Sequence, residues 1–194
     1  CKIMHHTFHH IPKTGGSTIR LRLEDRADKK QISKLDYAIG HNTTHRTPGI
    51  HFTWLRTPLD RDISQFNYDM NKGEAVADSF EEHCEQLSGN FITLWLHKNY
   101  LCLDPTVDMH SKYLNVQQCL RINFKKVFSL ENIEESWDEI SNMLNIDKEP
   151  RDSTNRSNID YIKYISKDKL SDEFLSWHRE YNDYDYKLFE EFCT

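Results

Sequence analysis

A lysine-containing glycine turn near the start of the chain constrains its fold most strongly. In residues 8–23, FHHIPKTGGSTIRLRL, an apolar stretch passes through Pro-Lys-Thr-Gly-Gly-Ser-Thr into a helical pattern. We therefore predict a strand at 3–11 and a helix at 17–27, joined by a turn that can hold an anion. The Walker order is absent, because Lys13 precedes both glycines instead of following them.

Each residue type in this turn suits a bound phosphate. Gly15 and Gly16 let the backbone approach an anion closely, and the amides at a helix start supply positive potential. Hydroxyl groups and one full positive charge complete the set, which comprises Lys13, Thr14, Ser17 and Thr18. An ordinary strand-to-helix turn with a solvated lysine is the alternative, because short loops of Gly, Ser and Thr are common.

Strand and helix patterns alternate along the rest of the chain. Further strands are predicted at 37–41, 50–56 and 125–131. Helices are predicted at 58–71, 79–101 (as one or two helices), 113–122, 132–146, 159–167 and 169–192. Alternation of this kind implies an α/β fold with a mainly parallel sheet and helices on both faces. Since no linker or repeat divides the chain, residues 1–194 are predicted to form a single domain.

Composition and charge exclude several classes of function. The formal net charge of −6 argues against a general nucleic-acid binder, which needs a basic surface. No apolar run approaches the roughly 20 residues of a membrane span. The 5 cysteines show no zinc spacing and are expected to be mostly buried thiols, which favours the cytoplasm. A Golgi-lumenal domain whose anchor has been removed is the alternative, and a Cys102–Cys119 bridge stays open in that case.

A second polar motif follows the strand at 50–56. In LRTPLDRDISQF, Arg56 ends the strand and Ser64 lies about two turns into the next helix. An arginine fork and a hydroxyl group can hold a second phosphate, separate from the first. Alternatively, Arg56 pairs with an acidic residue and Ser64 packs. Because ligands of parallel sheets bind beyond the carboxyl ends of the strands, the site is expected near 12–18, 41–44 and 56–58.

Taken together, HIPKTGGST and LRTPLDRDIS resemble the two cofactor motifs of the Golgi carbohydrate sulfotransferases, especially the heparan sulfate 2-O- and 6-O-sulfotransferases. The resemblance implies a P-loop-kinase-like three-layer fold and the donor 3′-phosphoadenosine-5′-phosphosulfate (PAPS), whose product is adenosine 3′,5′-bisphosphate. It implies that the 3′-phosphate is held by Arg56 and Ser64. It also implies that the 5′-phosphosulfate is held by Lys13, Thr14, Gly15, Gly16, Ser17 and Thr18.

The resemblance extends to two further segments. GHNT at 40–43 lies where the family carries its catalytic histidine, which implies that His41 is the general base. DSTNRSN at 152–158 resembles the loop that closes over the nucleotide, which implies that Thr154 and Arg156 lie near the 3′-phosphate. The segment from about 70 to 120 does not match the family, so the acceptor is predicted only as a hydroxyl compound, with a carbohydrate the first expectation.

The predicted reaction is in-line transfer of a sulfuryl group to that hydroxyl. His41 would accept the hydroxyl proton, and Lys13 would neutralise the charge that grows on the bridging oxygen. No metal is expected, because the transferred group carries fewer charges than a phosphoryl group. An ATP-dependent small-molecule kinase and a non-catalytic nucleotide-binding module are the alternatives. Two observations count against the kinase: the sequence has no Walker order, and it has no convincing carboxylate to bind magnesium.

The remaining histidines are potential metal ligands or bases. His5 with His9, and His6 with His10, would lie roughly 13 Å apart along a strand, too far to share one metal ion. His45 is the second candidate base, since it also follows the second strand. Structural roles are predicted for His51 and His97, and Trp95 is a candidate for the border of the acceptor cleft.

Overall fold

Four parallel strands form a sheet at the centre of the protein. The structure is a computed structural model that describes residues 5–34, 36–148 and 162–194. The strands are β1 (His6–His9), β2 (Tyr37–Gly40), β3 (Ile50–Leu55) and β4 (Phe124–Ser129). The helices are α1 (Gly16–Asp28), α2 (Pro58–Lys72), α3 (Phe80–Gln86), α4 (Phe91–Trp95), α5 (Met109–Asn123), α6 (Ile133–Leu144), α7 (Asp172–Tyr181) and α8 (Asp183–Cys193). A π-helical turn (Leu96–Tyr100) follows α4, and a 3₁₀ turn (Lys167–Lys169) precedes α7.

The strand order places a crevice between β1 and β3. The order is β2-β1-β3-β4, and every neighbouring pair is parallel. From β1 the chain continues to β2, at one edge of the sheet, whereas from β3 it continues to β4, at the opposite edge. In parallel sheets, ligands bind at such a switch point, beyond the carboxyl ends of the two central strands. The residues that follow β1 and β3 therefore flank the expected ligand crevice.

Helices cover both faces of the sheet, which confirms the predicted α/β layering. On one face, the rings of Phe8, Phe52, Trp54 and Phe128 stack with centroids 5.3–6.1 Å apart. Helices α1 and α6 pack on these rings through Ile19, Leu23, Trp137 and Ile140. The other face is covered by α4, the π turn, α5 and α8, through Ile92, Leu96, Val116, Leu120 and Leu188. Burial of these apolar side chains is the main force that holds the three layers together.

Helix α2 begins where the sequence predicts and forms a core of its own with α3 and α7. Pro58 occupies the first helical position, where its missing amide proton removes no hydrogen bond. Gly73 ends the helix in the left-handed region, at φ 68°. The buried side chains that join the three helices include Leu59, Ile63, Phe66, Phe80 and Cys84. As a result, α2 presents its opposite face to the residues that follow β1.

The helix predicted at 159–167 is wrong over its described part. Residues 159–161 lie outside the described residues, and 162–166 are not helical. Their backbone groups bond to side chains of α2 instead: Ile162 pairs with Asn71 in both directions, at 2.7 and 3.0 Å. The amides of Tyr164 and Ile165 donate to Asn67 Oδ1, at 2.7 and 3.1 Å. These long-range hydrogen bonds satisfy the backbone groups of the segment in place of the hydrogen bonds of a helix.

The single helix predicted at 169–192 is likewise wrong, because the chain breaks at Asn182 into α7 and α8. Asn182 Oδ1 accepts a hydrogen bond from the amide of Asn90, at 2.8 Å. In return, Asn90 Oδ1 accepts from the amides of Tyr184 and Asp185, at 2.9 and 3.1 Å. Asn90 thus caps the start of α8 from a distant part of the chain, and this contact supports a second helix start.

The described cysteines are free thiols, so Cys102 and Cys119 are not joined. Cys84 and Cys119 are buried, as expected, whereas Cys102 is exposed.

Within the described ranges, none of the helices combines the length and the apolar character that crossing a bilayer requires.

Candidate functional site

The loop after β1 leaves hydrogen-bond donors unpaired at the start of α1. The backbone amide and the hydroxyl of Thr14 both donate to the Ile11 carbonyl, at 3.3 and 2.8 Å, so this buried hydroxyl braces the loop itself. No side chain caps α1. Among the described residues, the amides of Gly15, Gly16 and Ser17 have no acceptor. Unpaired amides at a helix start form an anion-binding site, and the exposed Ser17 side chain lies beside them.

The two glycines are required by close contacts on both sides of the loop. Gly15 has a φ of +86°, and a Cβ atom there would lie 2.2 Å from Leu130 Cδ1. At Gly16, a Cβ atom would lie 2.1 Å from His10 Cδ2 and 2.2 Å from His10 Cγ. The His10 ring therefore rests directly on the first residue of α1. Only glycine permits this approach without moving the ring.

We expect the substitution Gly16→Ala to destabilise the protein by about 1–3 kcal/mol, because the new methyl group forces the His10 ring out of its place. Urea unfolding measures this loss. Gly40→Ala is the matched control, because a Cβ atom at Gly40 meets nothing closer than 4.0 Å. Equal stability of the Gly16→Ala variant and the wild-type protein would contradict the described packing of His10.

Lys13 is held in a strained backbone conformation that sends its side chain towards α2. Its φ of 66° lies in the left-handed region, which non-glycine residues rarely adopt. Non-glycine residues held in this conformation are concentrated at functional sites. The ammonium group lies 3.8 Å from the centroid of the Tyr68 ring. Burial lowers the pKa of Lys13 to about 8; Asp69 opposes this shift, whereas Arg56 and Arg61 add to it.

The second motif meets the first at the crevice. Arg56 follows the end of β3, and its Nη1 donates to the Lys13 carbonyl at 3.3 Å. Ser64, which is half-buried, lies one turn before Tyr68 on the same face of α2, the face that Lys13 contacts. Thr18 lies half-buried in the first turn of α1. Thr154 and Arg156 lie outside the described residues.

His41 is exposed just beyond β2 and reaches the loop through His10. Its ring stacks on the His10 ring, with centroids 4.1 Å apart. Its Nδ1 bonds to the His10 carbonyl oxygen, which can only accept, so Nδ1 carries the proton. In the neutral ring, Nε2 is then the basic nitrogen, and no described residue occupies it. His41 thus presents a free lone pair beside the ring that rests on Gly16.

A buried chain of hydrogen bonds fixes an indole ring next to His41. Trp95 Nε1 donates to His9 Nε2 at 3.3 Å, and His9 Nδ1 donates to the Thr43 carbonyl at 2.9 Å. Burial lowers the pKa of His9 to about 4, so its ring is neutral at neutral pH. A neutral ring can accept a hydrogen bond at Nε2 and donate one from Nδ1. The half-buried Trp95 ring contacts His41 edge to face, with centroids 5.6 Å apart. The π turn follows directly, and such turns are frequent at functional sites.

Two further histidines, His45 and His51, have both ring nitrogens engaged in hydrogen bonds. His45 Nδ1 donates to the Tyr100 carbonyl at 3.0 Å, and its Nε2 accepts from Arg46 Nε at 3.4 Å. His51 donates to the Thr47 carbonyl at 2.7 Å and bonds to the Tyr100 hydroxyl at 2.8 Å. His51 is therefore structural, as predicted. Both nitrogens of His45 are engaged, so of the two candidate bases only His41 has an unoccupied ring nitrogen among the described residues.

One further group of polar side chains gathers away from the crevice. Asp62, Cys84 and His178 lie on α2, α3 and α7, and their donor atoms are within 4.8 Å of one another. Arg61 forms an ion pair with Asp62, and His178 Nε2 donates to the same carboxylate at 3.0 Å. Because Arg61 already balances the buried carboxylate, we interpret this group as a structural ion-pair network. Arg61 is therefore a buried ion-pair residue.

Any activity that depends on the Lys13 charge is expected to fall above about pH 8, because Lys13 loses its positive charge through its lowered pKa. A profile of kcat/KM reports the groups of the unliganded protein, so its alkaline limb should show this pKa. The variant Lys13→Arg keeps its charge at high pH and should move the limb upwards, whatever its absolute rate. An unchanged alkaline limb in Lys13→Arg would assign the limb to another group.

Comparison with known proteins adds no assignment: no family model matches the chain, and no curated protein is significantly similar to it.

Proposed function

We propose that this chain is a PAPS-dependent O-sulfotransferase that acts on a hydroxyl group of a carbohydrate or a similar acceptor. One observation supports this function most strongly: the lysine-first loop, Arg56 and His41 meet at the switch point of the sheet. Arg56 bonds to the loop at the Lys13 carbonyl, and His10 lies between Gly16 and His41. Two cations, unpaired amides and one histidine with a free nitrogen suit a doubly phosphorylated donor and a hydroxyl acceptor.

The donor would occupy two neighbouring anion sites. The amides of Gly15, Gly16 and Ser17 would hold the 5′-phosphosulfate, with Lys13 beside them. Arg56 would hold the 3′-phosphate together with Ser64, which lies one turn from the ring beneath Lys13. No side chain caps α1, so an anion at this position completes hydrogen bonds that the protein leaves open. When bound, the donor supplies an activated sulfuryl group.

The protein's own residues would then act by position and charge. His41 Nε2 accepts the proton of the acceptor hydroxyl, while the His10 carbonyl holds the ring in the required tautomer. The acceptor oxygen forms a bond to sulfur, and the bond from sulfur to the bridging phosphate oxygen breaks. Lys13 neutralises the negative charge that develops on that oxygen. His10 stays neutral because burial lowers its pKa to about 3, so it adds no second charge beside the base.

Transfer of radiolabelled sulfur from PAPS tests this function. The purified chain would be incubated with the donor and with separate pools of oligosaccharides, simple glycosides and phenols. We expect label in at least one hydroxyl pool and none with the variant His41→Ala. If adenosine 3′,5′-bisphosphate binds but no pool becomes labelled, the chain is a binding module, and transferase activity is excluded for these acceptor classes.

We expect Arg56→Ala to weaken binding of adenosine 3′,5′-bisphosphate by about 1.5–3 kcal/mol, the usual range for a charged hydrogen bond. Binding of ADP, which has no 3′-phosphate, should change little. Isothermal titration calorimetry of both nucleotides with both proteins measures the difference. If Arg56→Ala retains the full preference for the 3′-phosphorylated form, Arg56 does not contact the 3′-phosphate.

A further inference from the structure

One aromatic ring on α2 has a contact that core packing does not explain. Tyr68 is 40% exposed and belongs to no hydrophobic cluster. The Lys13 ammonium lies 3.8 Å from its ring centroid, and the Lys72 ammonium lies 5.8 Å from the same centroid. The distance to Lys13 lies well within the range of a cation–π interaction. The ring is therefore a partner of the lysine in the anion-binding loop.

Among the described residues, Lys13 forms no ion pair with a carboxylate, although Asp69 is near enough to raise its pKa. One oxygen of Asp69 is engaged elsewhere, since Oδ1 accepts from Gln65 Nε2 at 2.7 Å. The other charged neighbours are Arg56 beyond β3 and Arg61 on α2, and both repel the ammonium. Asp69 therefore favours the Lys13 charge without an ion pair, and the Tyr68 ring is the group in direct contact with the ammonium.

The chemistry of the ring suits a lysine that must exchange partners. A carboxylate at position 68 would bind the ammonium strongly and compete with an incoming anion. An aliphatic side chain would give the half-buried ammonium no polarisable partner in direct contact. The negative face of an aromatic ring holds a cation, but less strongly than a phosphate oxygen does. Lys13 can therefore be held in place and still be released to a ligand.

We propose that Tyr68 is a positioning residue for Lys13: its ring holds the ammonium at the mouth of the anion-binding loop until a phosphate or sulfate group replaces the ring as partner. The first half of this proposal concerns the ligand-free protein alone. The second half, the exchange of partners, rests on the proposed function, because it requires a phosphorylated nucleotide at the loop.

A series of fluorinated rings at position 68 tests the first half without changing shape. Tyr68 would be replaced by phenylalanine and by phenylalanines carrying one, two and three ring fluorines, which weaken the negative face stepwise. Methylated lysines, which keep their charge, allow NMR titration of each ammonium, with Lys13 assigned through Lys13→Arg. We expect the pKa of Lys13 to fall along the series by about half a pH unit, a threefold change in proton affinity. A constant pKa would overturn the proposal.

Controls separate ring electronics from general perturbation. The same series at Tyr164, which is 38% exposed, should leave the Lys13 titration unchanged. Thermal melts of every variant establish that the fold is retained. A fall of equal size in the Tyr164 series would show that fluorination acts indirectly, and this result would also overturn the proposal.

Repeating the series with saturating adenosine 3′,5′-bisphosphate tests the exchange of partners. Once the ammonium pairs with phosphate, fluorination at position 68 should no longer change the pKa of Lys13. A fall that persists with bound nucleotide would show that Lys13 stays on the ring, which overturns the second half. Failure of the wild-type protein to bind this nucleotide would instead refute the donor of the proposed function, and the ligand-free series would still decide the role of Tyr68.

Discussion

Replacing His41 with alanine is expected to lower kcat for the proposed sulfuryl transfer by about 10²–10⁴-fold, the usual contribution of a general base. The reason is the position of its free nitrogen. The His10 carbonyl fixes the proton on Nδ1, and the stacked His10 ring, 4.1 Å away, holds the plane of the imidazole. No other histidine described near the crevice has this combination of exposure and an unoccupied nitrogen.

Affinity for adenosine 3′,5′-bisphosphate should remain unchanged in His41→Ala, because His41 contacts the acceptor side of the site in our account. Steady-state rates and nucleotide titration together measure both effects. His45→Ala is the control, since His45 follows the same strand but has both nitrogens engaged. An equal loss of kcat in the two variants would refute His41 as the base. A parallel loss of nucleotide binding in His41→Ala would show that the histidine holds the loop instead.

Lys13→Ala is expected to reduce kcat by about 10²–10³-fold, the size reported for removing one charge-stabilising donor from a transition state. The affinity for adenosine 3′,5′-bisphosphate should fall much less. The charge on the bridging oxygen grows only as the bond to sulfur breaks, so a cation placed there favours the transition state over the bound donor. The backbone amides at the start of α1 would still hold the 5′-phosphate.

Lys72→Ala provides the control for loss of a lysine near Tyr68, because its ammonium also approaches that ring. We expect its rate and its nucleotide affinity to be close to those of the wild-type protein. If Lys13→Ala loses affinity as strongly as it loses rate, Lys13 binds donor and transition state equally, and its catalytic role in our account is wrong.

The fold and the location of the crevice follow from local patterns in the sequence. Glycines at positions 15 and 16 mark the turn, Pro58 marks the start of α2, and short apolar runs mark all four strands. Parallel strands then fix the end of the sheet at which the polar turns meet. For this reason Lys13 and Arg56 could be predicted to lie together, and the structure joins them by a hydrogen bond.

Contacts between distant positions could not be predicted in this way. Asn90 caps α8 across 94 and 95 positions of the chain, and no local pattern identifies Asn90 as a cap. The same limit applies to His9 with Trp95, which are 86 positions apart. Tyr68 follows Ser64 by one turn, but only the path of the loop shows that Lys13 reaches it. Tertiary packing, which the sequence pattern does not encode locally, decides each of these partners.

The most direct test of the central claim is a thermal melt with adenosine 3′,5′-bisphosphate, ADP and ATP in parallel. A ligand present at 100 times its Kd adds about 2.7 kcal/mol to the free energy of unfolding, which a melt detects readily. We predict stabilisation by adenosine 3′,5′-bisphosphate and little or none by ADP or ATP at the same concentration. Stabilisation by ADP or ATP in its place would contradict the assignment of Arg56 and Ser64 to a 3′-phosphate and would favour a kinase.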